Sequence, residues 1–412
     1  MSSPLDMPTR TGALATLLAL LTYWAVCRIF WFAGLPAFLV LFGLTTYCAA
    51  VLICIGFMAC RRWKKTPKPS SEPRPGVTIL KPLCGLDDEL AANLESFLKV
   101  EYDPVEILFG VKDPDDPALA LAREVAARYP NRDVKFAAGI TSDATNPKIA
   151  IDENLLKLAK HPLVLLSDSN VRMDVGDLSF LVEPLSDDQV GMVYQPVVFV
   201  GEQDCAAAVQ NLRFTELTGV LTVAARPYAG TDVITGKGML CRRSALSSIG
   251  DLSQVRDVGL DDYLLGVHLK NAGWRLYLSE IPAVCICVHG SWRAFFDRQL
   301  RHAVWRFSLY RLLPLAELAL SPLVWVAAAV LVGGPHAWSA AFLAMAAKIL
   351  AENLGTRWLR STPFSWRHSI LIPLKDALVV AIWMMAILRT TVIWRNRSYQ
   401  VGRWSRLHPI ES

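Results

Sequence analysis

No two cysteines in this chain stand in CxxC spacing, although nine are present, at positions 27, 48, 54, 60, 84, 205, 241, 285 and 287. A zinc knuckle is thereby excluded and no disulfide framework is indicated. Small buried thiols in a reducing compartment are the expectation instead. An internal repeat and a low-complexity tract are also missing. So is an excess of one charge: 42 basic residues face 37 acidic ones, for a net charge of +5. A nucleic-acid binder is usually more basic or concentrates its charge on one face, so nucleic acid is set aside as a partner. The basic residues cluster beside apolar runs, as on the cytoplasmic flanks of membrane helices.

Apolar residues, by contrast, make up 53% of the 412. That is high for a soluble protein and low for a transporter that spans the membrane throughout. A soluble domain joined to membrane segments fits better. Residues 11–60 are almost continuously apolar, with a break at Arg28. One helix is expected over about 12–27 and a second over about 36–60, which has roughly the 20 apolar residues a bilayer core requires. Residues 1–60 thus read as N-terminal membrane helices. Residues 61–76, "RRWKKTPKPSSEPRPG", form a basic, proline-rich linker. Its charge places that side in the cytoplasm, and its prolines keep it extended.

Residues 77–310 read as a soluble α/β unit built on a mostly parallel sheet. Strands are expected at 77–80, 105–111, 134–138, 163–167, 190–200, 238–243, 275–279 and 283–288. Helices are expected near 88–99, 117–129, 148–160 and 261–271. A soluble block of this size leaves too few spans for a transporter. Residues 311–412 read as C-terminal membrane or interface helices and a basic tail, with apolar stretches at 313–332, 336–354 and 370–394. Lys375, Asp376 and Arg389 interrupt the third, which suggests a protein-lined or interfacial setting.

In an open α/β sheet, ligands sit beyond the carboxyl ends of the strands. Asp168, in "LVLLSDSN", is expected there, as is Asp113, in "GVKDPDDP". One such carboxylate can accept a hydrogen bond from a nucleoside while the other holds a divalent metal that bridges phosphates. Both sequences are also good turn and helix-cap formers. Asp261 and Asp262 open a helical pattern, as a cap or as a general base facing the same crevice. In "DRQLRHAVWR", Arg298, Arg301 and His302 share one helix face at i, i+3 and i+4. That face can meet the charge of a departing pyrophosphate or touch lipid headgroups.

In order and spacing, "VTILKPLCGLDDELAANLESF", "VKDPDDPA", "NPKI", "DSNVR", "TGKGMLCRR", "DDYLLGVHLKNAGWR" and "RQLRHAVWR" closely resemble the ceramide glucosyltransferases of glycosyltransferase family 21. The resemblance implies a GT-A (Rossmann-like) catalytic domain, a UDP-sugar donor, a ceramide or similar lipid acceptor, and a divalent metal, Mg2+ or Mn2+. It implies that Asp113 contacts the uridine part of the donor and that Lys81 lies near the nucleotide. Asn146 and Lys148 match an asparagine–lysine pair on the donor side. Asp168 matches the first residue of an abbreviated D-x-D element and would hold the metal. Asp262 matches the catalytic base, with Asp261 in the neighbouring glutamate position. Arg298 and Arg301 match the basic residues of the [QR]-x-x-R-W motif, and His302 replaces its tryptophan. Trp305, three residues on, is expected to point elsewhere. Gly236 and Trp305, with Asp261, are candidates for acceptor contact or support. The expected enzyme is an integral membrane protein whose catalytic domain faces the cytoplasm. Another UDP-sugar (galactose, N-acetylglucosamine, glucuronic acid), a hopanoid acceptor, or an inactive membrane scaffold remain open. The whole reading requires Asp113, Asp168 and Asp262 to converge on one pocket.

Overall fold

The computed structural model describes residues 74–310, 318, 321–333, 337–360, 362–394 and 397–410, with Gly34, 38–45, 47, 48 and 51, and only the backbone of 227–229. The expected helix at 12–27 and the linker at 61–73 lie outside the described residues. Of the helix expected at 36–60, residues 38–45, 47, 48 and 51 are helical.

The central sheet begins with β1 (Val77–Leu83), followed by α1 (Leu90–Leu98), β2 (Val105–Val111), α2 (Pro117–Ala127), β3 (Asp133–Ala137), α3 (Pro147–Leu158) and β4 (Leu163–Leu166). β5 (Val171–Arg172), α4 (Asp177–Val182), β6 (Val190–Tyr194) and β7 (Val197–Val200) come next. A helical run follows as α5 (Cys205–Phe214), a π segment (Thr215–Val220) and α6 (Leu221–Ala229). Then come β8 (Met239–Arg242), α7 (Arg243–Ser248), α8 (Asp261–Asn271), β9 (Arg275–Leu278) and β10 (Ala283–Ile286). The C-terminal part holds α9 (Trp292–Leu309), α10 (Pro322–Val332), α11 (Ala337–Leu359), α12 (Trp366–Ser369), α13 (Ile372–Ala386), β11 (Thr391–Trp394), β12 (Arg397–Val401) and β13 (Leu407–Pro409).

Seven strands pair in the order β3-β2-β1-β4-β8-β6-β9, and only β8 runs against its neighbours. The expected mostly parallel sheet is therefore present. Alternate residues of each strand supply the two faces, as the strand period requires. Ile79, Ile107 and Leu165 join one core with Leu94 and Phe97 of α1. Leu80, Leu108 and Val164 join the other with Ile151 and Leu155 of α3 and Leu265 of α8. Burial on both sides explains why these strands read as continuous apolar runs.

The strand expected over 190–200 is two strands in two sheets. β6 stays in the central sheet, whereas β7 pairs with β10 in a three-stranded sheet that also holds β5. Pro196, at the break, has no N–H to continue a ladder. The stretch expected to be apolar to residue 394 also divides. Its helix ends at Ala386, and Trp394 lies in β11 of a C-terminal antiparallel sheet, β11-β12-β13. That sheet packs on α9, where Val392, Tyr399, Val401 and Leu407 join Phe295, Ala303 and Trp305 in one core.

Among the described residues, one helical run, Trp366–Ala386, is long and apolar enough to cross a membrane. Lys375 and Asp376 lie inside it, buried among protein groups. Lys375 Nζ bonds to Glu216 Oε2 at 2.6 Å and to Glu352 Oε1 at 2.7 Å. Lys348 Nζ bonds to Glu216 Oε1 at 2.7 Å and pairs with Glu352 and with Asp376, the latter at 3.5 Å. Arg213 approaches Glu216 at 3.8 Å. Three carboxylates thus face three cations, so the cluster is balanced. It ties the π segment to α11 and α13. Removing one member of a buried ion network leaves its partners uncompensated. Lys375→Met is therefore expected to destabilise the fold by about 3–5 kcal/mol. Thermal unfolding in detergent reads this as an earlier transition, and an unchanged transition would show the network to be dispensable.

Candidate active site

Asp168 follows β4 by two residues, at the carboxyl end of the parallel strands. The register that pairs Leu80 with Leu166 brings Lys81 of β1 beside it. Lys81 is fully buried, and its Nζ donates to the Asp168 backbone carbonyl at 2.6 Å while lying 3.6 Å from the Phe97 ring centre. Burial pushes the Lys81 ammonium down to about 7, against the pull of Asp168. Lys81 thus braces the loop that carries Asp168 from behind.

Two further lysines take the carboxylate itself. Lys237 Nζ lies 2.5 Å from Asp168 Oδ2 and 3.0 Å from Asn170 Oδ1. Lys148 Nζ lies 3.5 Å from Asp168 Oδ1 and 3.3 Å from Asp261 Oδ2. Burial works to raise the Asp168 carboxyl, but Lys237 and then Lys148 outweigh it and hold it well below the usual carboxylate range. Burial likewise opposes the charge on Lys148, and Asp261 and Asp168 outweigh it to raise that ammonium above its ordinary value. Lys237 was not singled out in the sequence, although "TGKG" contains it. The signal was a basic residue between two glycines, directly ahead of a strand that joins β4.

Asn146 and Lys148 stand together because one residue starts α3. Asn146 Oδ1 accepts from the N–H groups of Lys148 and Ile149, with Pro147 at the first helical position. Its Nδ2 donates to Asp261 Oδ1 at 3.1 Å and to Val258 O at 2.9 Å. Asp261 is therefore an anchored partner of Asn146 and Lys148, and is buried. Asp262 accepts the Gly236 N–H on Oδ2 at 2.6 Å and the Tyr263 N–H on Oδ1 at 2.8 Å. Burial, with the Asp261 charge added, pushes its carboxyl up to about 6. A Cβ on Gly236 would stand 2.6 Å from Lys148 Nζ, so glycine lets that loop close on the cluster.

The C-terminal sheet fixes the start of α8. Ser405 accepts the Gly259 N–H on its carbonyl at 2.9 Å and the Leu260 N–H on Oγ at 3.1 Å. Its own N–H donates to Ser308 Oγ of α9 at 2.9 Å. Trp305 closes the same joint, its indole so near Gly259 that a Cβ there would fall 2.4 Å from it. His302 lies edge-on to Trp305 with ring centres 5.5 Å apart, and to Phe214 at 5.7 Å. The expectation that Trp305 points elsewhere than His302 is corrected: at i and i+3 on α9 the two rings touch. Burial, then Arg301, keeps the His302 imidazole neutral by lowering it well below its usual value.

The expected residues are gathered unequally. Lys148, Asn146, Asp168, Asp261, Asp262 and Gly236 are linked by direct contacts, with Lys81 behind them. Arg298 lies 5.9 Å from the Phe214 ring centre, and its charge acts on Lys237. Arg301 instead donates to Ile393 O at 3.2 Å and approaches the Trp305 and Trp394 rings. Asp113 stands at the same sheet end beyond β2, where Oδ1 accepts the Asp115 N–H at 3.0 Å. β1 separates its strand from that of Asp168.

Among the described residues, two places offer oxygens to a metal. Glu216, Glu352 and Asp376 lie close enough to share an ion, but Lys348 and Lys375 already occupy those oxygens. At Asp168, Oδ1 is buried and accepts no hydrogen bond. That atom and the Asn170 amide oxygen are the hard oxygen ligands a small divalent cation takes. Lys237 Nζ meets the Asn170 oxygen at 3.0 Å and Lys148 Nζ faces Asp168 Oδ1 at 3.5 Å, so the second place suits an ion in its ligand chemistry once an ammonium gives way.

The chain is similar to ceramide glucosyltransferase 3 of Caenorhabditis elegans, 28% identical over 261 residues, which cover 63% of this chain and 56% of that protein. Ceramide glucosyltransferase 1 of the same organism is 24% identical over 341 residues, 81% of this chain and 73% of its own. The chain thus spans little more than half of the first relative. Among solved structures, the mannosyltransferase PcManGT from Pyrobaculum calidifontis, in complex with GDP-Man and Mn2+, matches with a TM-score of 0.54 at 20% identity. The match covers 86% of this chain and 99% of that one. That likeness concerns the fold, which is a GT-A glycosyltransferase fold with a parallel central sheet. The model of glycosyl transferase family 21 matches residues 44–407, most of the chain, and the chain belongs to that family.

Proposed function

We propose that this chain is a membrane-bound inverting glycosyltransferase that moves a hexose, glucose in our reading, from a UDP-sugar to the primary hydroxyl of ceramide. The observation that carries the reading is Asp262, a carboxylate pushed up to about 6, two contacts from the cation-rich Asp168 site: Asp262 to Gly236 by hydrogen bond, Gly236 to Lys148 by close packing. A base needs a pKa near the working pH and a place beside the leaving-group site. The names of the curated relatives support ceramide as acceptor and glucose as the sugar.

In the reaction, the acceptor oxygen bonds to the anomeric carbon as the bond from that carbon to the UDP oxygen breaks. The acceptor proton passes to Asp262 Oδ2 or Oδ1, and the electron pair of the broken bond leaves with UDP. Gly236 N–H fixes the carboxylate, and Asp261, held by Asn146 and Lys148, keeps it from a lower pKa. Lys148 and Arg298 face the charge that grows on the diphosphate. A divalent cation at Asp168 would add Lewis-acid stabilisation of that leaving group. Lys81 and Ser405 hold the two carboxylate-bearing segments in place. The helical run Trp366–Ala386 suits an acceptor whose chains stay in the bilayer.

Incubating the purified chain with ceramide and each of several UDP-sugars, followed by thin-layer analysis, is expected to give hexosylceramide with UDP-glucose as the preferred donor. Product from no UDP-sugar would contradict the reading. Asp262→Asn is expected to lose roughly 10²–10⁴-fold in turnover, the usual contribution of a positioned base, while UDP still binds. Because the Asp262 pKa is raised, the protonated, inactive form persists to higher pH than for an ordinary aspartate. The acid limb of kcat/KM is therefore expected near pH 6, with activity falling below it. A limb near pH 4 would show that Asp262 is not the titrating base.

A further inference from the structure

We propose that the Lys237 ammonium keeps the cation position between Asp168 and Asn170 while the crevice lacks a donor, and passes to the donor's diphosphate when one arrives. This rests on the reading above that the crevice takes a nucleoside-diphosphate sugar. It adds a residue whose movement couples nucleotide binding to cation binding.

The geometry is specific. Lys237 Nζ sits between Asp168 Oδ2 at 2.5 Å and Asn170 Oδ1 at 3.0 Å. These are two of the oxygens that a hard cation would take from the chain. A lysine and a divalent ion cannot share them. Unlike Lys81 of β1, which is fully buried, the Lys237 side chain remains 24% exposed. It rides on a tight loop in which the Lys237 N–H donates to Thr235 O at 2.8 Å. Glycines flank it for steric reasons: a Cβ at Gly236 would meet Lys148 Nζ at 2.6 Å, and one at Gly238 would meet Gln195 Oε1 at 2.0 Å. The loop backbone is thus held, and the flexible side chain is the part free to swing.

Charge gives the direction of the exchange. Lys81, Lys148 and Lys237 all act on Asp168, and Arg298 opposes Lys237. A divalent ion arriving alone meets this concentration of positive charge and must displace an ammonium. A diphosphate arrives with negative charge, draws Lys237 and Arg298 toward itself, and frees Asp168 Oδ2 beside Oδ1, which accepts no hydrogen bond and faces Lys148 Nζ at 3.5 Å. The ion and the nucleotide then favour each other's binding, and linkage makes that coupling reciprocal.

The test uses the full chain in detergent, with Mn2+ followed by electron paramagnetic resonance and UDP by calorimetry. Lys237→Met is expected to bind Mn2+ alone about tenfold more tightly than the unaltered chain, and UDP in the presence of Mn2+ about tenfold more weakly, within the usual range for coupled sites. Lys237→Arg, which keeps the charge, is expected to stay close to the unaltered chain in Mn2+ binding. Lys237→Gln serves if the methionine variant does not fold, with the same two expectations. Unchanged or weaker Mn2+ binding by the neutral variants overturns the proposal, as does unchanged UDP binding. If neutral variants gain Mn2+ affinity but the unaltered chain binds no UDP, the nucleotide reading falls and the passage of Lys237 to a diphosphate falls with it. The competition between Lys237 and the cation stands in that case.

Discussion

Lysine and aspartate in near balance at the carboxyl ends of the parallel strands are the constraint on which the site depends. Asp168 alone at that depth would be forced toward protonation, and Lys148 alone toward neutrality, because burial disfavours either charge. Each keeps its charge because the other is there, with Lys237 and Asp261 completing the set. Asp262 is the member left without a lysine of its own, and burial with the Asp261 charge drives its carboxyl upward. One environment thereby favours the charged form of Asp168 and the protonated form of Asp262, the division that acid–base chemistry needs.

The fold brings the set together from distant parts of the chain. β1 and β4 deliver Lys81 and Asp168 through their register. The cap of α3 delivers Lys148. α8 delivers Asp261 and Asp262 on a start that Ser405, near the end of the chain, holds by two hydrogen bonds. The buried ion network around Glu216 makes a comparable tie on the other side, fastening α11 and α13 to the π segment. Both ties join the apolar C-terminal region to the α/β unit through polar groups, which, unlike apolar contacts, specify a single alignment.

Much of the sheet was legible because its strands are buried on both faces and bounded by turn residues. β2 and α8 match the ranges read from the sequence residue for residue. Pro196 was the missed signal that splits 190–200 into two sheets. The helical run from Cys205 to Ala229 and the C-terminal sheet were not read at all, since neither shows a clean period: the first is buried nearly all round over 206–224, and the second is short, basic and aromatic. Within the site, the carboxylates were legible through their motifs. Lys237 was not, because a lysine in a glycine loop reads as a solvated turn until β8 is known to pair beside β4. The roles of Trp305 and Arg301 were also hidden, because both depend on the C-terminal sheet against which they lie.

In the proposed reaction the donor's diphosphate lies against the Asp168 lysines while its sugar faces Asp262. The most direct measurement is an experimental structure of the full chain with UDP-glucose analogue and Mn2+ bound. The diphosphate is expected within contact of Lys148 and Arg298 at Asp168, with the anomeric carbon on the side open to Asp262. A nucleotide seated away from Asp168, or a sugar with Asp262 turned from it, would contradict the account.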